Sequence, residues 1–151
     1  MSISRRTFVR ASAIGAALTA VASQRGNAAL PAGVFSAASP ADAIRGALGS
    51  DKMVSDERVR IIVPDRVENG DVVPVSVDAD LPNIQRITLV ADKNPLPVIA
   101  TFSLAPEVEG FVATRIKLAE TCNVMAIVES DGKLQMGGKP VQVMIGGCGG
   151  E

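Results

Sequence analysis

The chain has 151 residues with 15 basic and 16 acidic side chains, a net charge of −1, and no histidine, tryptophan or tyrosine. Without histidine it lacks the commonest general base and the commonest nitrogen ligand for a metal. It carries none of the basic stripe that nucleic acid or an anionic membrane surface would require, so neither is an expected partner.

The chain opens on Ser4-Arg5-Arg6-Thr7-Phe8-Val9-Arg10, a twin-arginine pattern, followed by small and apolar residues from Ala11 to Ala22. That run is too short for a spanning helix, which needs about 20 apolar residues. Gly26-Asn27-Ala28 supplies the small-x-small pattern of a cleavage site. Residues 1–28 therefore read as a twin-arginine export signal, and the mature protein is expected in the periplasm. Removing them leaves 11 basic and 16 acidic residues, a net charge of −5. About 123 residues remain, enough for a single domain with one core.

Residues 29–38 read as a linker. Ser39-Pro40-Ala41-Asp42 then reads as a helix start: serine caps, proline suits the first helical position and an acid follows in the first turn. The helix is expected to run to about Leu48 and stop at Gly49. Beyond it the period changes to two. Val59, Ile61 and Val63 alternate with Arg58 and Arg60, and Val73, Val75 and Val77 alternate with Pro74, Ser76 and Asp78. Five further strands are expected at Ile84 to Ala91, Val98 to Leu104, Phe111 to Leu118, Asn123 to Glu129 and Val141 to Ile145.

Turn chemistry separates these runs. Glu68-Asn69-Gly70-Asp71 offers an Asn-Gly turn, Asn94-Pro95-Leu96-Pro97 breaks the chain path, and Ser130-Asp131-Gly132-Lys133 is a hairpin signal. The predicted fold is all-β: an immunoglobulin-like antiparallel β-sandwich of about seven strands over residues 39–145, with a short N-terminal helix. Arg115 and Lys117, on one face of a strand, read as a solvated face.

The last strand delivers the chain into Gly146-Gly147-Cys148-Gly149-Gly150-Glu151. Glycine loses the most entropy on being ordered, so residues 146–151 read as a flexible arm that presents the Cys148 thiol. In an exported protein Cys122 is a possible mate for Cys148, and their bridge would close a loop worth roughly 3.5 kcal/mol on the chain-entropy model. An intermolecular disulfide between two tails is a further alternative. A thiol enzyme is disfavoured, because no histidine or nearby cation lowers the Cys148 pKa, and Glu151 and the terminal carboxylate favour the neutral thiol. Two cysteines without histidine fall short of a typical zinc site, so no metal or cofactor is expected.

The tail from Ile145 to Gly150 closely resembles that of the SoxY family, the sulfur carriers of bacterial thiosulfate-oxidising Sox systems. Three internal stretches are similar to the same family: Ile62-Val63-Pro64 with Glu68-Asn69-Gly70 and Val72 to Val75; Ile87 to Pro95 with Ala100-Thr101-Phe102; and Thr114 to Thr121. The resemblance implies that Cys148 is the covalent attachment point for sulfur or thiosulfate. Gly146, Gly147, Gly149 and Gly150 would supply hinge freedom and slimness.

It also implies a carrier that is a substrate for other enzymes and is not itself a catalyst. The implied partners are a SoxZ-type subunit in a heterodimer, a SoxXA-type c-type cytochrome, a SoxB-type sulfate thiohydrolase and, in complete systems, a SoxCD-type sulfane dehydrogenase. Cys122 is not part of this pattern; it reads as a small residue at a strand start, or as a redox partner that would block the carrier. The competing reading of the whole chain is an exported immunoglobulin-like structural or binding module closed by a Cys122–Cys148 disulfide.

Overall fold

Helix α1, Pro40–Leu48, forms where the capping signals stand. The computed structural model describes residues 39–50 and 52–144. Ser39 is the N-cap and accepts a hydrogen bond from the Asp42 amide; Gly49, at φ +75°, ends the helix and donates its N–H to the Arg45 carbonyl. The expected export signal, the 29–38 linker and the 146–151 arm lie outside the described residues.

Nine strands follow: β1 Val54–Ser55, β2 Val59–Ile62, β3 Arg66–Val67, β4 Val73–Ala79, β5 Ile84–Ala91, β6 Val98–Ser103, β7 Phe111–Ile116, β8 Cys122–Ser130 and β9 Lys133–Val143. They form two sheets. The larger has the order β1-β9-β8-β5-β6, with β3 also on β9, and the smaller has the order β2-β4-β7. The seven principal strands lie where the period-2 pattern puts them, and two features depart from it. The short β1 and β3 have no counterpart in the pattern, and both pair with β9 in parallel, so the larger sheet is not purely antiparallel.

The second departure is the length of β9, which starts at Lys133 and not at Val141. Gly137, Gly138 and Pro140 all lie within this strand, and the surroundings of Gly137 and Pro140 accommodate them. A Cβ on Gly137 would lie 1.9 Å from the Val59 carbonyl oxygen, so glycine here lets β2 cross close over β9. Pro140 stands opposite Asn123. The backbone N–H and C=O of Asn123 both turn to Asp92 on the other side, so this is a non-hydrogen-bonded pair and proline forfeits no ladder bond.

The Ser130–Lys133 hairpin forms as expected, with Asp131 at φ 50° and Gly132 at φ 70°, the left-handed pair that a two-residue turn requires. The Asn69-Gly70 pair behaves differently. Asn69 Oδ1 accepts from the Asp71 amide at 2.8 Å, an Asx turn. Gly70 is absent from the left-handed region; its side-chain space is what matters.

The main core lies between the sheets, where Val73, Val75 and Val77 of β4 meet Ile87 and Leu89 of β5 and Val124, Ala126 and Val128 of β8. A second cluster covers the opposite face of the larger sheet, where Ala43, Ile44 and Ala47 of α1 pack on Val90, Val98 and Ile127. Strands β5 and β8 are therefore apolar on both faces. No helix among the described residues is long and apolar enough to cross a membrane.

Candidate functional site

Cys148 and its four glycines lie outside the described residues; what the fold supplies is the platform from which they depart. The end of β9 is held on both sides. The Gln142 amide donates to the Asp65 carbonyl and the Met144 amide to the Val67 carbonyl, each at 2.8 Å, so β3 secures the strand through Met144. On the other side the Thr121 hydroxyl accepts from the Val143 amide at 3.0 Å and lies 3.3 Å from the Val143 carbonyl, to which it donates. Cys148 is four residues beyond this anchor, and four extended residues span at most about 14 Å.

Beside the anchored end is an open groove of about 610 Å³, lined by Glu68, Asn69 and Asp71 of the 68–71 loop, Lys117 and Ala119 of the segment after β7, and Met144. Its walls are tied together locally. The Leu118 amide donates to the Gly70 carbonyl at 2.7 Å. Asn94, from the proline-rich loop, donates to the Lys117 carbonyl at 2.8 Å and accepts from the Ala119 amide at 2.9 Å. Through those two bonds the Asn94-Pro95-Leu96-Pro97 loop clamps the segment after β7. Lys117 pairs with Asp71 at 2.7 Å, and this contact holds the Asp71 carboxyl below the usual carboxylate range. Arg115 is exposed on the outer face of the smaller sheet.

Cys122 is the first residue of β8, opposite Val141, and is 5% exposed within the inter-sheet core. Burial first, then the negative charges of Asp92 and Glu120, push its thiol pKa up. The group is therefore neutral at pH 7 and a poor nucleophile, and a disulfide to it would require the strand end to open. Among the described residues no three histidine, cysteine, aspartate or glutamate side chains stand together as a metal site. Met125 and Met136 pack against the helix-side cluster and fill space there.

Sequence reasoning finds the thiols but misses Thr121, Gly70 and Asn94 as supports of the platform. Each stands in a legible local pattern, but its partner is more than 20 residues away or belongs to another strand.

Comparison with known proteins bears on these features together. The family model described as "Sulfur oxidation protein SoxY" matches residues 44–148, a span that runs from α1 to Cys148 itself. Among solved structures, the sulfur carrier protein SoxY from Chlorobium limicola f thiosulfatophilum superposes with a TM-score of 0.65 at 32% identity, covering 74% of this chain and 96% of that one. A superoxide reductase (neelaredoxin) from Ignicoccus hospitalis has a TM-score of 0.53 at 19% identity, over 60% of this chain and 94% of its own, a likeness of fold alone. The comparison with curated proteins gives no match. The chain belongs to the SoxY family of sulfur-carrier proteins, which carry their substrate and do not catalyse its conversion.

Proposed function

We propose that this protein carries the intermediates of periplasmic thiosulfate oxidation as adducts on Cys148, reaching the periplasm by the twin-arginine route with residues 1–28 as its signal. The observation that carries the reading is the family match extending to residue 148, on a chain whose last strand is anchored four residues earlier. Gly146, Gly147, Gly149 and Gly150 make residues 146–151 a swinging arm, and residues 29–38, rich in small side chains, are a linker to the 39–145 domain. The strand order, β2-β4-β7 against β9-β8-β5-β6, supports an immunoglobulin-like description of that domain.

The chemistry divides between this chain and its partners. A SoxXA-type cytochrome takes two electrons as the Cys148 sulfur bonds to the sulfane sulfur of thiosulfate, releasing the thiol proton. A SoxB-type hydrolase then adds water across the terminal S–S bond. Sulfate and two protons leave, and an ionised persulfide, Cys–S–S⁻, remains at Cys148 for a SoxCD-type dehydrogenase where one is present. A SoxZ-type subunit completes the carrier. The protein's share is access: a thiol on a slim, mobile arm, with the competing thiol of Cys122 kept buried and protonated.

Intact-mass spectrometry of the mature protein from thiosulfate-grown cells tests this reading. Adducts of thiosulfate or sulfur mass are expected, removed by reductant and abolished by Cys148→Ser. A mass two hydrogens below the reduced chain under every growth condition, with no adduct, would establish the Cys122–Cys148 bridge instead.

A further inference from the structure

Beyond residue 28 the sequence contains four asparagines, Asn69, Asn83, Asn94 and Asn123. An asparagine loses its amide when the main-chain nitrogen of the next residue attacks its side-chain carbonyl carbon. Three of the four are protected against this. Asn83 Nδ2 donates to Asp131 at 2.9 Å, Asn94 Nδ2 to the Lys117 carbonyl at 2.8 Å and Asn123 Nδ2 to Asp92 at 2.8 Å, so each leaving nitrogen is tied down. The residues that follow them are Ile84, Pro95 and Val124: two β-branched side chains that crowd the approach, and a proline with no N–H.

Asn69 differs on each count. It is exposed and precedes Gly70, which has no side chain to obstruct the attack. Among the described residues nothing accepts from Asn69 Nδ2 or from the Gly70 N–H. Both residues line the open groove of about 610 Å³, so water and base reach them. The Asx turn adds an activating contact. The Asp71 amide donates to Asn69 Oδ1 at 2.8 Å, which polarises the carbonyl and holds its oxygen as negative charge develops there. Packing retains the pair of residues that react: a Cβ at position 70 would lie 2.2 Å from the Leu118 carbonyl oxygen, and the turn needs a side-chain acceptor at 69.

We propose that Asn69 is a self-modifying site, converting to aspartate and isoaspartate through a cyclic imide closed by the Gly70 nitrogen. That nitrogen loses its proton to base and bonds to Asn69 Cγ; the Cγ–Nδ2 bond breaks, and ammonia leaves with a proton from solvent. Water then opens the imide. Cleavage between Cγ and the Gly70 nitrogen restores the ordinary main chain with aspartate at 69, and cleavage at the main-chain carbonyl leaves isoaspartate. Water is the sole co-reactant, and nothing is oxidised or reduced. Either product adds a carboxylate beside Glu68 and Asp71 in the groove where β9 ends. Aspartate preserves the turn, because its oxygen still accepts from the Asp71 amide. Isoaspartate lengthens the main chain by one carbon next to Gly70 and disturbs the Leu118-to-Gly70 bond. This inference does not depend on the sulfur chemistry of Cys148.

Peptide mapping by mass spectrometry, on the mature protein held folded in mildly alkaline buffer, tests the proposal. Residue 69 is expected to gain about one mass unit while Asn83, Asn94 and Asn123 remain amides, and to do so no more slowly than in the urea-unfolded chain, which lacks the Asp71 contact. Amide exchange at Leu118 should quicken in the isoaspartyl fraction. Asp71→Pro, which removes the amide donor, should slow the conversion about two- to tenfold, the worth of one hydrogen bond, whereas Asp71→Asn keeps the donor and should not slow it. Circular dichroism checks that each variant is folded, and the comparison with the unfolded chain serves if Asp71→Pro is not. An Asn69 that stays intact while the unfolded chain converts, equal conversion at the other three asparagines, or a folded Asp71→Pro chain that is not slowed would each overturn the proposal.

Discussion

Gly70→Ala tests whether the groove beside the end of β9 is held by close backbone approach. A Cβ at this position would lie 2.2 Å from the Leu118 carbonyl oxygen and 3.2 Å from both the Leu118 carbonyl carbon and Val143 Cγ1. The nearest contact is backbone, so a side-chain rotation cannot relieve it. The 68–71 loop and the segment after β7 must separate by about 1 Å, which stretches the 2.7 Å Leu118-to-Gly70 bond beyond hydrogen-bonding length. Overpacking costs about 1–3 kcal/mol and the lost bond about 0.5–1.5 kcal/mol, a combined loss of about 2–4 kcal/mol. For a domain of this size that lowers Tm by roughly 10 °C or more. With no tryptophan or tyrosine to report by fluorescence, thermal unfolding is best followed by far-UV circular dichroism or calorimetry. Gly132→Ala is the reference, because its Cβ meets nothing within 4 Å and its cost, about 1 kcal/mol, comes only from φ +70°. If Gly70→Ala melts within about 2 °C of wild type, or above Gly132→Ala, the close-approach argument is wrong.

Other substitutions probe the remaining supports. Cys122→Ala should cost about 1 kcal/mol of packing and leave thiosulfate loading of the arm unchanged, whereas Cys122→Ser should cost about 1–3 kcal/mol by burying a hydroxyl; loss of loading in the alanine variant would give Cys122 a chemical role. Asn94→Ala removes both clamping bonds from the segment after β7 and should cost about 1–3 kcal/mol in urea unfolding, with faster exchange at the Ala119 amide. Hydrogen bonds from the Arg58 side chain and amide hold the Asp56 carboxyl down at about 2. The folded value lies below the unfolded one, so this contact stabilises above the ordinary carboxylate range and is lost as pH falls toward 2; carboxyl titration by NMR should show that midpoint, and Arg58→Ala should raise it.

How much of this is legible in the sequence depends on whether a signal is local. The cap at Ser39, the stop at Gly49 and the Asp131-Gly132 turn act over three or four residues, and each forms where its chemistry stands. The apolar alternation of Val59 and Ile61 in β2, and of Val73, Val75 and Val77 in β4, likewise reports one inward face. Strand β9 looks shorter from sequence than it is, because Gly137, Gly138 and Pro140 resemble breakers when seen without neighbours. Only the passage of Val59 over Gly137, and the orientation of Asn123 opposite Pro140, make those residues suitable for a strand.

The twin-arginine pattern, the period-2 alternation of an all-β domain and a cysteine between two pairs of glycines are legible in one dimension, because they depend on residue types and their spacing along the chain. What surrounds the last strand is visible only once the sheets are packed: the parallel pairing of β3, the Thr121 bonds to Val143, the Asn94 clamp and the burial of Cys122. Those contacts join residues far apart in the chain, so their energies arise only when both sheets are assembled. The same assembly buries the Cys122 thiol in the core and anchors the chain at Met144, four residues before Cys148 in the sequence.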